Sequence, residues 1–233
     1  MTTSDVRIRF VLVHGACHGA WTWETVAPRL EAHGWLVTAP ELPFTSMHED
    51  ARVVRDAVAA ARERGERVIL VGHSYGGGPI TQGGAEADHL VYAAAAVPDV
   101  GEPTDDERTI TPEALRAAVM LENNTVLSMD PQHAAASFLQ RTDPDLARRA
   151  VERLRPQPVL CFEEPLTEAA WRHVPSSYIV ATDDRSFATD FQRVLAARVR
   201  DVIELDCDHS MYYSATDGLV RRLEEIAAEV ASR

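Results

Sequence analysis

Short apolar runs alternate with amphipathic stretches along the first hundred residues. Ile8 to Val13 (IRFVLV), Trp35 to Ala39, Val68 to Val71 and Leu90 to Ala95 each carry too few polar positions for a half-exposed strand. They read as strands buried on both faces. Between them, Thr25 to His33 ends at Gly34, Ala51 to Arg64 ends at Gly65, and a small-residue stretch runs from Gly77 to about Ala87. These read as helices, with Thr22 as a cap for the first. Pro40 and Pro43 stop the second strand. Strand and helix in alternation predict right-handed crossovers and a parallel sheet.

The rhythm breaks after Val97-Pro98-Asp99. From Gly101 to about Pro158 the pattern predicts no strand. It predicts helices over Pro112 to Glu122, Pro131 to Gln140 and Pro144 to Leu154, each opened by proline after Thr111, Asp130 or Asp143. Strands return at Tyr178 to Ala181 and Val202 to Leu205, with helices over Phe187 to Arg200 and Asp217 to Ala231. The expectation is one α/β domain with a mostly parallel six-stranded sheet and helices on both faces. Residues 1–98 and 159–233 would form its core and 99–158 a short helical lid. Such an insertion would lie over the carboxyl ends of the strands, where open sheets bind ligands. The alternative is a helical layer that completes the core.

Composition narrows the partners. The chain has 233 residues, is 45% apolar and carries a formal charge of −13. That surface repels nucleic acid and anionic membranes. Cys17, Cys161 and Cys207 make no disulfide framework, and they and the nine histidines have no zinc-like spacing. No metal or cofactor is expected. Met1 to Arg7 holds no apolar signal core, and no run is long enough to span a bilayer. A cytoplasmic protein is the simplest expectation.

Chemistry enters at Gly72-His73-Ser74-Tyr75-Gly76, which follows the third strand and precedes a helix. This is G-x-S-x-G, a turn that lifts a strained serine hydroxyl above the sheet. Glycine two residues to either side avoids collision in the turn. A serine needs a base, and the order of this motif sets an acid and then a histidine after the last two strands. His209 follows Leu205, and Asp183 and Asp184 follow Ala181. Asp99, after another strand, could hold the base instead. The oxyanion donors would be the amide of Tyr75 and one from the small-residue loop at Gly15, with Ala16 the expected donor. A thiol nucleophile at Cys17 or Cys207 is disfavoured, because neither lies in such a turn. His14 and His73 are read as loop-orienting, and Trp21, Trp23 and Trp171 as core or pocket wall.

These segments resemble one group. Val11-Leu12-Val13-His14-Gly15-Ala16-Cys17-His18-Gly19-Ala20-Trp21 is similar to the opening of α/β-hydrolases of the plant methyl-esterase and hydroxynitrile-lyase group and their bacterial relatives. Gly72 to Gly77 resembles its elbow, and Asp208-His209 its Asp-His pair. Thr182-Asp183-Asp184-Arg185 resembles its Thr-Glu-Asp-Lys segment, which implies that Asp184 is the acid. The other aspartate, Asp183, is then expected to cap the helix near Phe187. The resemblance implies a serine hydrolase acting on a small carboxylic ester through Ser74, His209 and Asp184. It implies substrate contacts from Gly15, His18 and lid residues, for which Phe138 and Leu139 are the bulkiest apolar pair on the second lid helix. Dimers occur in the group, so a homodimer stays open. Two other functions remain: a hydroxynitrile lyase on the same triad, and a ligand receptor that keeps the fold. Lyases of the group carry lysine after the catalytic histidine and threonine after the first-loop histidine, where this chain has Ser210 and Gly15.

Overall fold

A computed structural model describes residues 6–104 and 106–233, apart from the side chain of Glu107. The reading of Met1 to Asp5 as lacking a signal core lies outside the described residues. The strands β1 (Ile8–Val13), β2 (Leu36–Thr38), β3 (Arg67–His73), β4 (His89–Ala93), β8 (Ser176–Ala181) and β9 (Asp201–Leu205) form one six-stranded sheet in the order β2-β1-β3-β4-β8-β9. Every pairing in it is parallel. Side chains alternate between its faces, and both faces are buried. Val11, Val13, Leu70, Leu90 and Val180 pack with Val54 and Val58 of α2 (Met47–Glu63), Ile80 of α3 (Gly77–Gly83) and Leu195 of α8 (Thr189–Ala196). Phe10, Leu12, Ile69, Val71 and Ile179 pack with Leu30 of α1 (Ala27–Ala32) and Leu219, Leu223 and Ile226 of α10 (Thr216–Ala231).

Two helix starts differ from the sequence reading. Thr22 caps no α-helix. It is buried in a short 3-10 turn, Ala20–Trp23, and its hydroxyl donates to the Gly19 carbonyl at 2.9 Å. α2 begins at Met47, because Ser46 Oγ accepts the Glu49 amide at 3.1 Å. Ser46 and Glu49 stand three apart, the spacing of a capping box.

The segment between β4 and β8 is not all helical. α4 (Pro112–Ala117) gives way to β5 (Ala118–Leu121), which turns back as β6 (Val126–Met129) and pairs with β7 (Gln157–Pro158). The helix predicted to reach Glu122 ends at Ala117, because Ala118 is already extended at φ −73° and ψ 129°, and Glu122, Asn123 and Asn124 then take positive φ, 49°, 56° and 67°. That left-handed run reverses the chain, and asparagine tolerates it well. α5 (Pro131–Phe138) and α6 (Pro144–Val151) follow, then α7 (Leu160–Glu163). The three proline starts are capped as read: Thr111 takes the Ala114 amide, Asp130 that of Gln132, and Asp143 those of Asp145 and Leu146. The short α9 (Met211–Ser214) precedes α10. Among the described residues, no helix is long and apolar enough to cross a membrane.

Candidate active site

β3 ends in the turn that carries Ser74, whose φ is +54°. A non-glycine residue there is strained, and strain of this kind persists only where packing fixes it. The packing is visible at the glycines. A Cβ on Gly76 would stand 2.8 Å from the His14 carbonyl oxygen, and one on Gly72 would stand 2.7 Å from that of Gly76. The turn therefore nests against the loop after β1, and Ser74 and Ala16 come to line one cavity of about 400 Å³.

His209 reaches the same cavity from the loop after β9. Its Nδ1 lies 2.8 Å from Asp184 Oδ2. Asp184 sits in the loop after β8 and is 9% exposed. Its Oδ1 accepts the amides of Ser186 and Phe187 at 2.7 and 2.8 Å, and its Oδ2 also accepts Gln192 Nε2 at 2.8 Å. The loop cap is thus supplied by Asp184 itself. Asp183, read as the cap, offers its backbone instead: its amide donates to the Cys207 carbonyl and its carbonyl accepts Gln140 Nε2. Asp99 is engaged elsewhere, by Arg172 Nε at 2.7 Å.

The neighbouring histidines are tied to the backbone. His73 Nε2 donates to the His209 carbonyl at 2.8 Å. His14 Nδ1 donates to the Gly15 carbonyl at 3.0 Å, and its Nε2 accepts the Leu42 amide at 3.0 Å. Burial pushes the His14 imidazole down to about 3. His18 lines the cavity, with Nδ1 donating to the Ala16 carbonyl at 2.6 Å, and burial pushes it down to about 4. Both rings are therefore neutral in the fold near pH 7. Burial also raises the thiols, Cys17 to about 12 and Cys161 to about 11, which suits inert core cysteines.

Tyr75 and Phe138 join Ala16, Ser74, His18 and His209 on the cavity wall. Two residues read as substrate contacts do not. Leu139 turns away and packs against Ala134, Ala147 and Ala150. Gly15 sits behind the wall, where an added Cβ would stand 2.9 Å from His73 Nδ1 and 3.1 Å from Ser74 Cβ. The hairpin supplies wall residues that the helical reading missed, among them Ala118, Met120, Leu127 and Met129. Asn123-Asn124 between two apolar runs was the available signal. No Asp, Glu, Lys or Arg among the described residues lines the cavity. Among the described residues, no group of three or more His, Cys, Asp or Glu could hold a metal ion.

The tyrosine after Ser74 has its own anchor. Tyr75 Oη donates to Asp50 Oδ2 at 2.6 Å, while Asp50 Oδ1 accepts the Phe44 amide at 2.9 Å. Burial raises the Asp50 carboxyl to about 6.

Comparison with known proteins agrees with this architecture. A model of the alpha/beta hydrolase family matches residues 10–222. Esterase PIR7B of Oryza sativa subsp. japonica is 30% identical, over 99% of this chain and 98% of its own length. Salicylic acid-binding protein 2 of Nicotiana tabacum is 31% identical, over 94% and 96%. Among solved structures, a pyrethroid hydrolase from Sphingobium faniae JZ-2 superimposes with a TM-score of 0.84 at 24% identity, covering 98% of this chain and all of that one. On its sequence, its sheet order and the place of its serine turn, the chain belongs to the alpha/beta hydrolase family.

Proposed function

We propose that the protein hydrolyses a small, uncharged carboxylic ester through Ser74, His209 and Asp184. The observation that carries this reading is the 2.8 Å contact of His209 Nδ1 with buried Asp184, on a histidine that shares one cavity wall with Ser74. A proton on Nδ1 leaves Nε2 free to accept one from the serine. In this reading Ser74 Oγ bonds to the ester carbonyl carbon as its proton passes to His209. The C–O bond to the alcohol then breaks, and the alcohol leaves with that proton. Water, activated by the same histidine, cleaves the acyl-enzyme and restores the serine. The amides of Ala16 and Tyr75 receive the oxyanion.

The apolar wall sets the substrate class. A free carboxylate or ammonium would lose its hydration there with no opposite charge among the described wall residues to meet it. Uncharged esters with an apolar acyl or alcohol part suit such a wall. The esterase names of related proteins, such as Esterase PIR7B and Methylesterase 9 of Arabidopsis thaliana, support the reaction type. Residues 99–158 act as the lid that selects among esters, in this proposal through Phe138 and the hairpin. The three cysteines, buried and free, suit a reducing compartment such as the cytoplasm.

The test is Ser74→Ala. Loss of both fluorophosphonate labelling and p-nitrophenyl ester turnover, by ~10³-fold or more, is the expected result. Turnover near the wild-type rate would overturn the proposal.

A further inference from the structure

The chain that leaves the last insertion helix, α6, runs directly beneath the loop after β1. Arg155 N donates to the Cys17 carbonyl at 2.9 Å, and Arg155 Nε donates to the His18 carbonyl at 2.8 Å. Two residues on, Gln157 Oε1 accepts the Cys17 amide at 2.9 Å. Arg155 Nη2 also reaches the Leu42 carbonyl at 2.7 Å and Glu41 at 2.6 Å, and its guanidinium lies 4.3 Å from the centre of the Phe44 ring. One short stretch therefore clamps the loop after β1 to the loop after β2.

What the clamp takes determines what it leaves. Cys17 has φ +59°, a left-handed geometry that a side chain adopts only under constraint. Both of its backbone polar groups go to residues 155 and 157. The Ala16 carbonyl goes to His18 Nδ1, and the His18 amide approaches the Gly15 carbonyl at 3.4 Å. Of the amides from Ala16 to His18, only that of Ala16 is without a partner among the described residues. A free Cys17 amide would compete for any anion entering the loop, and a relaxed Cys17 would rotate the Ala16 peptide plane.

Gln157 holds the Cys17 amide, and the Arg155 backbone and guanidinium hold the Cys17 and His18 carbonyls. We infer that Arg155 and Gln157 are positioning residues for the oxyanion hole, keeping Cys17 in its left-handed turn so that, of this loop's amides, that of Ala16 joins that of Tyr75 at the reacting carbonyl. This rests on the ester-hydrolase reading and adds to it. The insertion then shapes reactivity as well as the substrate pocket, because the same stretch that closes α6 fixes the donor.

The test uses the intact protein and the variants Gln157→Met, Arg155→Met and Arg155→Lys, with Arg148→Met on α6 as a control. Stopped-flow acylation by p-nitrophenyl acetate gives a rate constant, and its burst amplitude counts folded sites, so partial unfolding lowers the amplitude and not the rate. Inhibition by butyl trifluoromethyl ketone, which forms an oxyanion on Ser74, is compared with binding of the matching methyl ketone. Gln157→Met and Arg155→Met are expected to slow acylation ~10-fold or more, with an equal loss of trifluoromethyl ketone affinity. Methyl ketone binding should not change. Arg155→Lys keeps a cation beside Glu41 but not the fork to two carbonyls, and should fall between. Arg148→Met should match the wild type. Unchanged acylation, or equal weakening of both ketones, would overturn the inference and leave the ester reading standing. A wild type with neither burst nor trifluoromethyl ketone adduct would overturn both.

Discussion

Gln192 Nε2 lies 2.8 Å from the same Asp184 oxygen that faces His209 Nδ1 at 2.8 Å. Gln192 is fully buried, and its own carbonyl accepts the Ala181 amide at 2.9 Å. The side chain thus bolts α8 to the end of β8 and holds the carboxylate from behind. Only an aspartate so fixed can set the tautomer of the histidine. Asp184→Asn should lower kcat/KM ~10⁴-fold, as loss of a triad acid does. Asp183→Asn should stay near wild type, since its side chain is 47% exposed and its carboxylate meets Arg141, at 4.0 Å, rather than a catalytic group. Equal losses in steady-state assays of the two variants would reassign the acid.

The strands were legible because burial on both faces writes a continuous apolar run, as in Val68 to Val71. The Ser74 turn was legible because its chemistry is local. The hairpin was not, because Ala114 to Leu121 holds good helix formers, and helix propensity lost to the left-handed turn at Glu122 to Asn124. Leu139 and Phe138 look alike in sequence. Which faces the cavity depends on where α5 ends, since Leu139 is already its C-cap. Gln192, Arg155 and Gln157 were invisible for another reason. Gln157 meets Cys17 across 140 residues, and no local pattern records that contact.

Phe138 and Leu139 should respond differently to truncation. The Phe138 ring stands 5.6 Å from His18 and 5.8 Å from His209, on the cavity wall. Phe138→Ala should change the ranking of acetyl, butyryl and benzoyl esters. Leu139→Ala leaves a hole among Ala134, Ala147 and Ala150, and should cost about 2–4 kcal/mol of stability with the ranking kept. Kinetics on an ester panel with urea unfolding of each variant checks both, and the opposite assignment of effects would show that Leu139 is the selective residue.

Acid should destabilise the fold below about pH 6.5, the ordinary histidine pKa. Burial holds His14 at about 3 and His18 and His89 at about 4, and pushes His73 well down. The unfolded chain therefore binds protons in this window that the folded chain refuses. Stability then falls as pH drops, by up to about 1.4 kcal/mol per unit for each histidine. Asp50 and Asp208 oppose this, because burial raises the first carboxyl to about 6 and raises the second as well, so each protonates first in the fold. Four histidines outweigh two carboxyls, so unfolding at pH 5 should take up roughly two protons. His89→Gln, which alters a ring bonded to Ser177 and outside the cavity, should remove about one of them. Proton release measured with an indicator dye during urea unfolding would contradict the sign.

Esterase and lyase chemistry part at the leaving group. Cleaving a cyanohydrin expels cyanide, an anion that needs a positive charge beside the histidine. The residue after His209 is Ser210, which is fully buried with its hydroxyl donating to Tyr212 Oη at 3.0 Å. Among the described residues, no lysine or arginine lines the cavity to take its place. The residue after His14 is Gly15, and a threonine there would drive its Cβ to 2.9 Å from His73 Nδ1 and 3.1 Å from Ser74 Cβ. The side chain that a lyase places at this point does not fit without moving the serine turn. An ester asks for neither group, because its developing charge sits on the carbonyl oxygen and meets backbone amides. The wild-type protein should therefore hydrolyse p-nitrophenyl acetate and release negligible cyanide from mandelonitrile. Introducing Ser210→Lys alone should not create lyase activity, since Gly15 remains and burial at position 210 disfavours the ammonium. Robust cyanide release by the wild type, with no ester turnover, would show that the anion is stabilised by some other group and would reverse the choice.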